Sequence, residues 1–206
     1  YQDFQARVPR SVTSPTQPVP AIDFAVLNAG GLEIYGAELE LSANPIENLT
    51  LDAQIGYLHA EYTEFIEIRN LANPAPPPAT IPTEIDRSFQ EPAFSPEWTA
   101  RFGAAYEFDL GAAGDLTLAG SARYRSSMAL AVDNSNIFTQ VEFPGMHQDE
   151  YCLYDASLTW EATDVLSIAL IGRNLSDEVY RTDAQEFSSV GGIRTAYYGA
   201  PQTWSV

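Results

Sequence analysis

The chain is poor in the groups that most enzyme chemistry needs. It has one cysteine, Cys152, so no disulfide can close within it and no cysteine-based zinc site can form. Its only histidines, His59 and His147, are far apart in sequence. No Ser/His/Asp or paired-carboxylate arrangement stands out, so no enzyme and no cofactor are expected. Basic residues are scarce: 10 Lys plus Arg face 28 Asp plus Glu, for a net charge of -18. Nucleic-acid binding needs clustered cations against phosphate, and anchoring on an anionic lipid surface needs them too. Both are excluded as main functions, whereas crossing a membrane is not. Long apolar runs are also missing, and none approaches the roughly 18 residues of a transmembrane helix. The opening Tyr1-Gln2-Asp3-Phe4 carries neither a basic region nor an apolar stretch, and there is no initiator Met. The chain is expected to be an interior or mature piece of something longer.

What the sequence does have is hydrophobic content of 45%, with many Tyr and Phe, 14 Pro and 13 Gly. That mixture favours strands and turns. Apolar residues recur with period two rather than with helical spacing. Across 49–57 the odd positions are Leu49, Leu51, Ala53, Ile55 and Tyr57, against Thr50, Asp52, Gln54 and Gly56. Across 98–108 the even positions are Trp98, Ala100, Phe102, Ala104, Tyr106 and Phe108, against Thr99, Arg101, Gly103, Ala105 and Glu107. The same pattern runs through 35–41, 116–124, 152–160 and 166–170, with weaker strands at 1–8 and from 203 onward. The count is seven strands and the start of an eighth.

The links between them alternate. Those at 42–48, 109–115 and 161–165 are short; those at 9–23, 66–97, 127–150 and 176–202 are long, polar and without clear period. An up-and-down transmembrane barrel places every short turn on the periplasmic side and every long loop outside. A Greek-key sandwich does not predict that alternation. The Asn73–Pro78 run, with its four prolines, reads as partly disordered. The uncharged face is expected to meet lipid. The face carrying Glu38, Glu40, Asp52, Arg101, Glu107, Arg123, Arg125, Asp155 and Arg173 is expected to line a wet interior.

Several stretches then resemble one family. Asn28-Ala29-Gly30 with Gly36-Ala37-Glu38-Leu39-Glu40-Leu41 resembles a downward strand of TonB-dependent receptors, as do Leu49-Thr50-Leu51 to Gly56-Tyr57 and Tyr62-Thr63-Glu64-Phe65. Gly172-Arg173-Asn174-Leu175-Ser176-Asp177-Glu178-Val179-Tyr180 is similar to their penultimate strand and its exit. Gly199-Ala200-Pro201-Gln202-Thr203-Trp204 looks like the approach to the final strand. The resemblance implies an all-β, antiparallel up-and-down transmembrane β-barrel of 22 strands in the bacterial outer membrane. Residues 1–206 would supply seven to eight of these strands from its C-terminal part, without the plug domain, the TonB box or the end of the last strand. It implies active import of a scarce ligand, most often a ferric siderophore, driven through the TonB complex. A soluble secreted or periplasmic all-β binding module and a passive porin stand as alternatives.

Candidate ligand contacts are Arg123 and Arg125 on the lumenal face, which would attract an anionic iron chelate or else form cross-strand ladders with Asp and Glu. Arg194, Tyr197 and Tyr198 in the last outer loop are the others. No metal ligand set is assigned. His147 to Glu150 reads as a chance loop pairing, and Asp133-Asn134-Ser135-Asn136 lacks the glycine and terminal Glu of a calcium loop. Ligand identity lies beyond the sequence.

Overall fold

A computed structural model describes residues 2–14, 17–72, 80–187 and 193–206. The strands in chain order are β1 (Gln2–Ser14), β2 (Gln17–Ala43), β3 (Leu49–Glu64), β4 (Ile66–Ala72) and β5 (Thr80–Asp86). Then come β6 (Trp98–Asp109), β7 (Asp115–Arg125), β8 (Met128–Ala129), β9 (His147–Gln148) and β10 (Tyr151–Thr163). The last four are β11 (Leu166–Arg173), β12 (Arg181–Phe187), β13 (Ile193–Tyr198) and β14 (Thr203–Ser205). One eight-stranded antiparallel sheet takes them in the order β1-β2-β3-β6-β7-β10-β11-β14. Every neighbour in the sheet is therefore a neighbour in the chain once the outer excursions are set aside, as an up-and-down wall requires.

The short turns are made by residues suited to them. Asn48 sits at φ 65 beside Leu49, and Gly111 and Gly114 take φ 60 and 86 around one 3-10 turn. A Cβ on Gly114 would come within 2.0 Å of the Glu161 carbonyl oxygen, so that turn is closed to larger residues. Trp160 Nε1 donates to the Ala113 carbonyl at 2.8 Å, tying an aromatic ring to the same end of the wall.

The three longest links are not featureless. Each folds into its own two-stranded ribbon: β4 with β5, β8 with β9, and β12 with β13. The expected loop at 9–23 is a correction of a different kind. Its backbone continues the β1–β2 ladder, with Pro9 opposite Phe24 and Ser11 opposite Ile22. Proline disfavours strands because it lacks a donor, but it is tolerated where one side of the strand is open. Pro9 lies on the edge strand, and Pro18 and Pro20 lie where β2 is paired by β1 alone, since β3 reaches only Gly31. The Asn73–Pro78 run lies outside the described residues.

Register fixes which side chains share a face. Leu39, Ile55, Ala100, Tyr124 and Cys152 form one cross-strand row, and Leu41, Ala53, Phe102, Ala122 and Tyr154 the next. Every member is uncharged. Among the described residues no second sheet covers this face: Leu39, Leu41, Phe102 and Leu118 are 52%, 58%, 51% and 49% exposed. A sandwich would interlock these side chains in a dry centre, and among the described residues they are not interlocked. β6 has 12 residues. At about 3.3 Å each and a tilt near 45° they climb roughly 28 Å, the height of a bilayer's hydrocarbon.

The densely packed apolar residues lie instead at the outer end. Leu32, Tyr62 and Phe65 form one cluster with Val132 against it; Met128, Leu130, Met146 and Ala184 form another with Ala131 and Phe143. Apolar contact there joins the ends of β2 and β3 to one outer loop, and outer loops to one another, rather than sheet to sheet.

Candidate functional site

On the lumenal face Arg101 stands directly opposite Arg123, and Thr99 opposite Arg125. Three guanidiniums thus crowd two adjacent strands. Like charges facing one another are unfavourable, and two aspartates on the flanking strands offset them. Arg101 Nη1 donates to Asp52 Oδ2 at 2.5 Å, and Arg123 Nη2 donates to Asp155 Oδ2 at 2.8 Å. Among the described residues Arg125 has no carboxylate at ion-pair distance; it faces Tyr151 across the ladder. Arg101, Arg123, Arg125, Glu38, Glu40 and Tyr151 are among the residues that border one depression of about 330 Å³ in the wall. Arg123 is engaged in a ladder pair, whereas Arg125 interacts with the Tyr151 hydroxyl across the ladder rather than with a carboxylate. Since the chain contains no lysine, each of these cations is a planar fork suited to bidentate pairing.

Arg194, Tyr197 and Tyr198 lie on β13, in a different sheet from Arg123 and Arg125. Arg194 is committed locally: its Nε is 3.5 Å from Glu186, and its guanidinium lies 4.7 Å from the centre of the Phe143 ring. Tyr197 and Tyr198 are 53% and 58% exposed and, being consecutive, point to opposite sides of the ribbon.

The strongest polar cluster was not legible in the sequence. Arg87, wholly buried, donates from Nη1 to Glu67 Oε2 at 2.8 Å and from Nε to Gln90 Oε1 at 3.0 Å. It also pairs with Asp133 and stacks 4.7 Å over Phe65. Gln90 Nε2 donates to the Ser135 carbonyl, and Asn134 Nδ2 to the Glu91 carbonyl. Two outer loops are thereby locked together by one cation. Burial pushes the Glu67 carboxyl up, but Arg69 and Arg87 together outweigh it and hold the group below its ordinary value. Burial also pushes the Asp133 carboxyl up, and there Arg87 does not overcome it. Asp133-Asn134-Ser135 thus serves this junction. No spacing rule announces the cluster, because its members come from separate aperiodic stretches.

His59 lies on the lipid-facing side, stacked on Tyr35 with ring centres 4.6 Å apart and 3.5 Å from Glu61. His147 converges with Glu91 and Glu142 rather than with Glu150. At the exit of β11, Asn174 takes φ 49 and organises the following turn. Its Nδ2 donates to the Glu178 and Ala200 carbonyls, and its Oδ1 accepts from Glu178 N. Asp177 Oδ1 accepts from Gln202 N at 2.9 Å. The Gly172–Tyr180 motif is thus a stitch holding the last outer excursion to the start of β14.

A family model described as TonB dependent receptor-like, beta-barrel, matches residues 1–175. The chain belongs to the TonB-dependent receptor family. TonB-dependent receptor barrels sit in the bacterial outer membrane, so the apolar face meets lipid there, and members are transport receptors rather than enzymes. The fold agrees. The ferric yersiniabactin uptake receptor FyuA from Yersinia pestis matches with TM-score 0.64 and 17% identity, over 97% of this chain and 32% of its own. The siderophore receptor PiuA from Acinetobacter baumannii gives 0.59 and 19%, over 95% and 22%. The pyoverdine receptor FpvA from Pseudomonas aeruginosa, bound to pyoverdine, gives 0.53 and 18%, over 98% and 25%. The TonB-dependent receptor chain described here spans between about a fifth and a third of the length of these proteins. No curated protein matches it in sequence.

Proposed function

We propose that the parent receptor imports a ferric siderophore across the outer membrane, energised through the TonB complex. In this reading residues 1–206 form the C-terminal part of its barrel, with the plug domain and TonB box elsewhere in the parent protein. The observation that carries the reading is the arginine-lined depression. In a chain of net charge -18, a wall that groups Arg101, Arg123 and Arg125, with Glu38 and Glu40 beside them, offers guanidinium donors to an anionic chelate, Arg125 having no carboxylate at ion-pair distance among the described residues. The fold shared with receptors for iron chelates supports the same class of cargo. Tyr197 and Tyr198 are the exposed outer contacts for it, able to stack or hydrogen-bond.

The test is uptake of radiolabelled iron carried by the host's own siderophore. Deleting the receptor gene, or tonB, should abolish uptake, and the intact gene should restore it. A gene carrying Arg125→Ala should restore transport with ligand binding weakened about tenfold or more, the scale of one charged hydrogen bond. Uptake of every ferric chelate tested persisting in the deletion strain would overturn the proposal.

A further inference from the structure

We infer that Glu91, Glu142 and His147 form a divalent-cation site that staples two outer loops together. One imidazole nitrogen and one oxygen of each carboxylate lie within 4.8 Å of one another. His147 Nε2 is 3.7 Å from Glu91 Oε2, and Nδ1 is 3.8 Å from Glu142 Oε2. Both are too long for hydrogen bonds. Nδ1 is nonetheless withdrawn from solvent and has no hydrogen-bond partner. Each carboxylate thus approaches a different ring nitrogen without a hydrogen bond, and a cation bound at one of them, which lies within 4.8 Å of both carboxylate oxygens, would draw the two glutamates in.

The backbone beneath the ligands is fixed independently of them. Asn134 Nδ2 donates to the Glu91 carbonyl at 2.8 Å, and Phe94 N donates to the Ala129 carbonyl at 2.9 Å. Glu142 forms a bridge with Ser135, Phe143 N donates to Asn134, and His147 begins β9. Arg181 donates to the His147 carbonyl, a further hold on the backbone at the ligand position. The glutamate side chains, 61% and 68% exposed, can move the roughly 1 Å needed for bonds of about 2.0–2.1 Å. One imidazole and two carboxylates suit zinc, cobalt or manganese, whereas calcium and magnesium prefer oxygen alone. Waters would complete the shell.

The site does not depend on what the receptor carries, so its failure would leave the import reading untouched. The experiment titrates the full-length receptor in detergent with Zn2+ by calorimetry, and with Co2+ by its visible bands. The wild type should bind one more equivalent than the triple variant E91Q/E142Q/H147Q. The exposed-residue variant E91Q/E142Q, which disturbs no packing, should weaken binding about tenfold or more. Zn2+ should slow amide exchange across 87–97 and 130–147 in the wild type alone. Equal stoichiometry and affinity in wild type and both variants, or no Zn2+ binding by the wild type, would overturn the assignment.

Discussion

Arg87 and Glu67 meet at 2.8 Å with both side chains wholly withdrawn from water, although each belongs to an outer loop of a membrane barrel. Removing one partner of such a pair strands the other charge, at a cost of about 3–5 kcal/mol. Arg87→Ala should therefore loosen the outer junction and leave the wall intact. Amide exchange checks this: protection should fall at the Arg87 amide, which donates to Phe65, and stay unchanged in β6 and β7. The double variant Arg87→Met with Glu67→Gln should recover much of the loss.

The same junction should respond to acid in two opposed ways. Glu67 is held below its ordinary value, so its contribution is present above that value and is lost as pH falls through the lowered one. Asp133 is raised, so its contribution is complete below its ordinary value and is lost as pH rises through the raised one. Protection corrected for intrinsic exchange should pass through a maximum in the ordinary carboxylate range. Asp133→Asn should remove the decline on the alkaline side only. A monotonic profile in the wild type would contradict this account.

Adjacent residues of β7 should tolerate charge very differently. Ala122 faces lipid between Phe102 and Tyr154, whereas Ser121 faces the lumen between Gly103 and Asp155. Ala122→Arg should cost about 2–4 kcal/mol of folding free energy in the bilayer, and Ser121→Arg about 1 kcal/mol or less. Folding of the full-length receptor into vesicles, read by heat-modifiable gel mobility, measures both.

Asn174 should prove irreplaceable among ordinary residues. It combines positive φ with three side-chain hydrogen bonds, so Asn174→Ala should destabilise the β11 exit by about 2–4 kcal/mol. Asn174→Gly should relieve the backbone part and lose the rest. Proteolysis within 176–202 is the readout, and equal rates in the two variants would leave the backbone without a role.

The wall was readable because a lipid boundary on one side and water on the other impose a rule on every second residue. Leu51, Phe102 and Leu118 obey it one strand at a time. The outer junction obeys no such rule. Arg87, Gln90 and Asp133 are placed by hydrogen bonds between loops, whose partners sequence spacing does not encode. Arg123 and Arg125 are legible as lumenal, but the pairing of Arg123 depends on Asp155, a strand away. The stretch at 9–23 reads as a loop because its prolines count as breakers unless the ladder is open beside them.

The unbroken register of β7 against both β6 and β10 also constrains how a gene for such a protein can change length. One codon gained or lost at the start of β7 would turn Arg123 and Arg125 toward hydrocarbon and Leu118 toward water, inverting the rest of that strand at once. Lineages can thus extend or trim the ribbons outside the bilayer freely, while the spans between them tolerate residue swaps but not shifts in reading of the pleat.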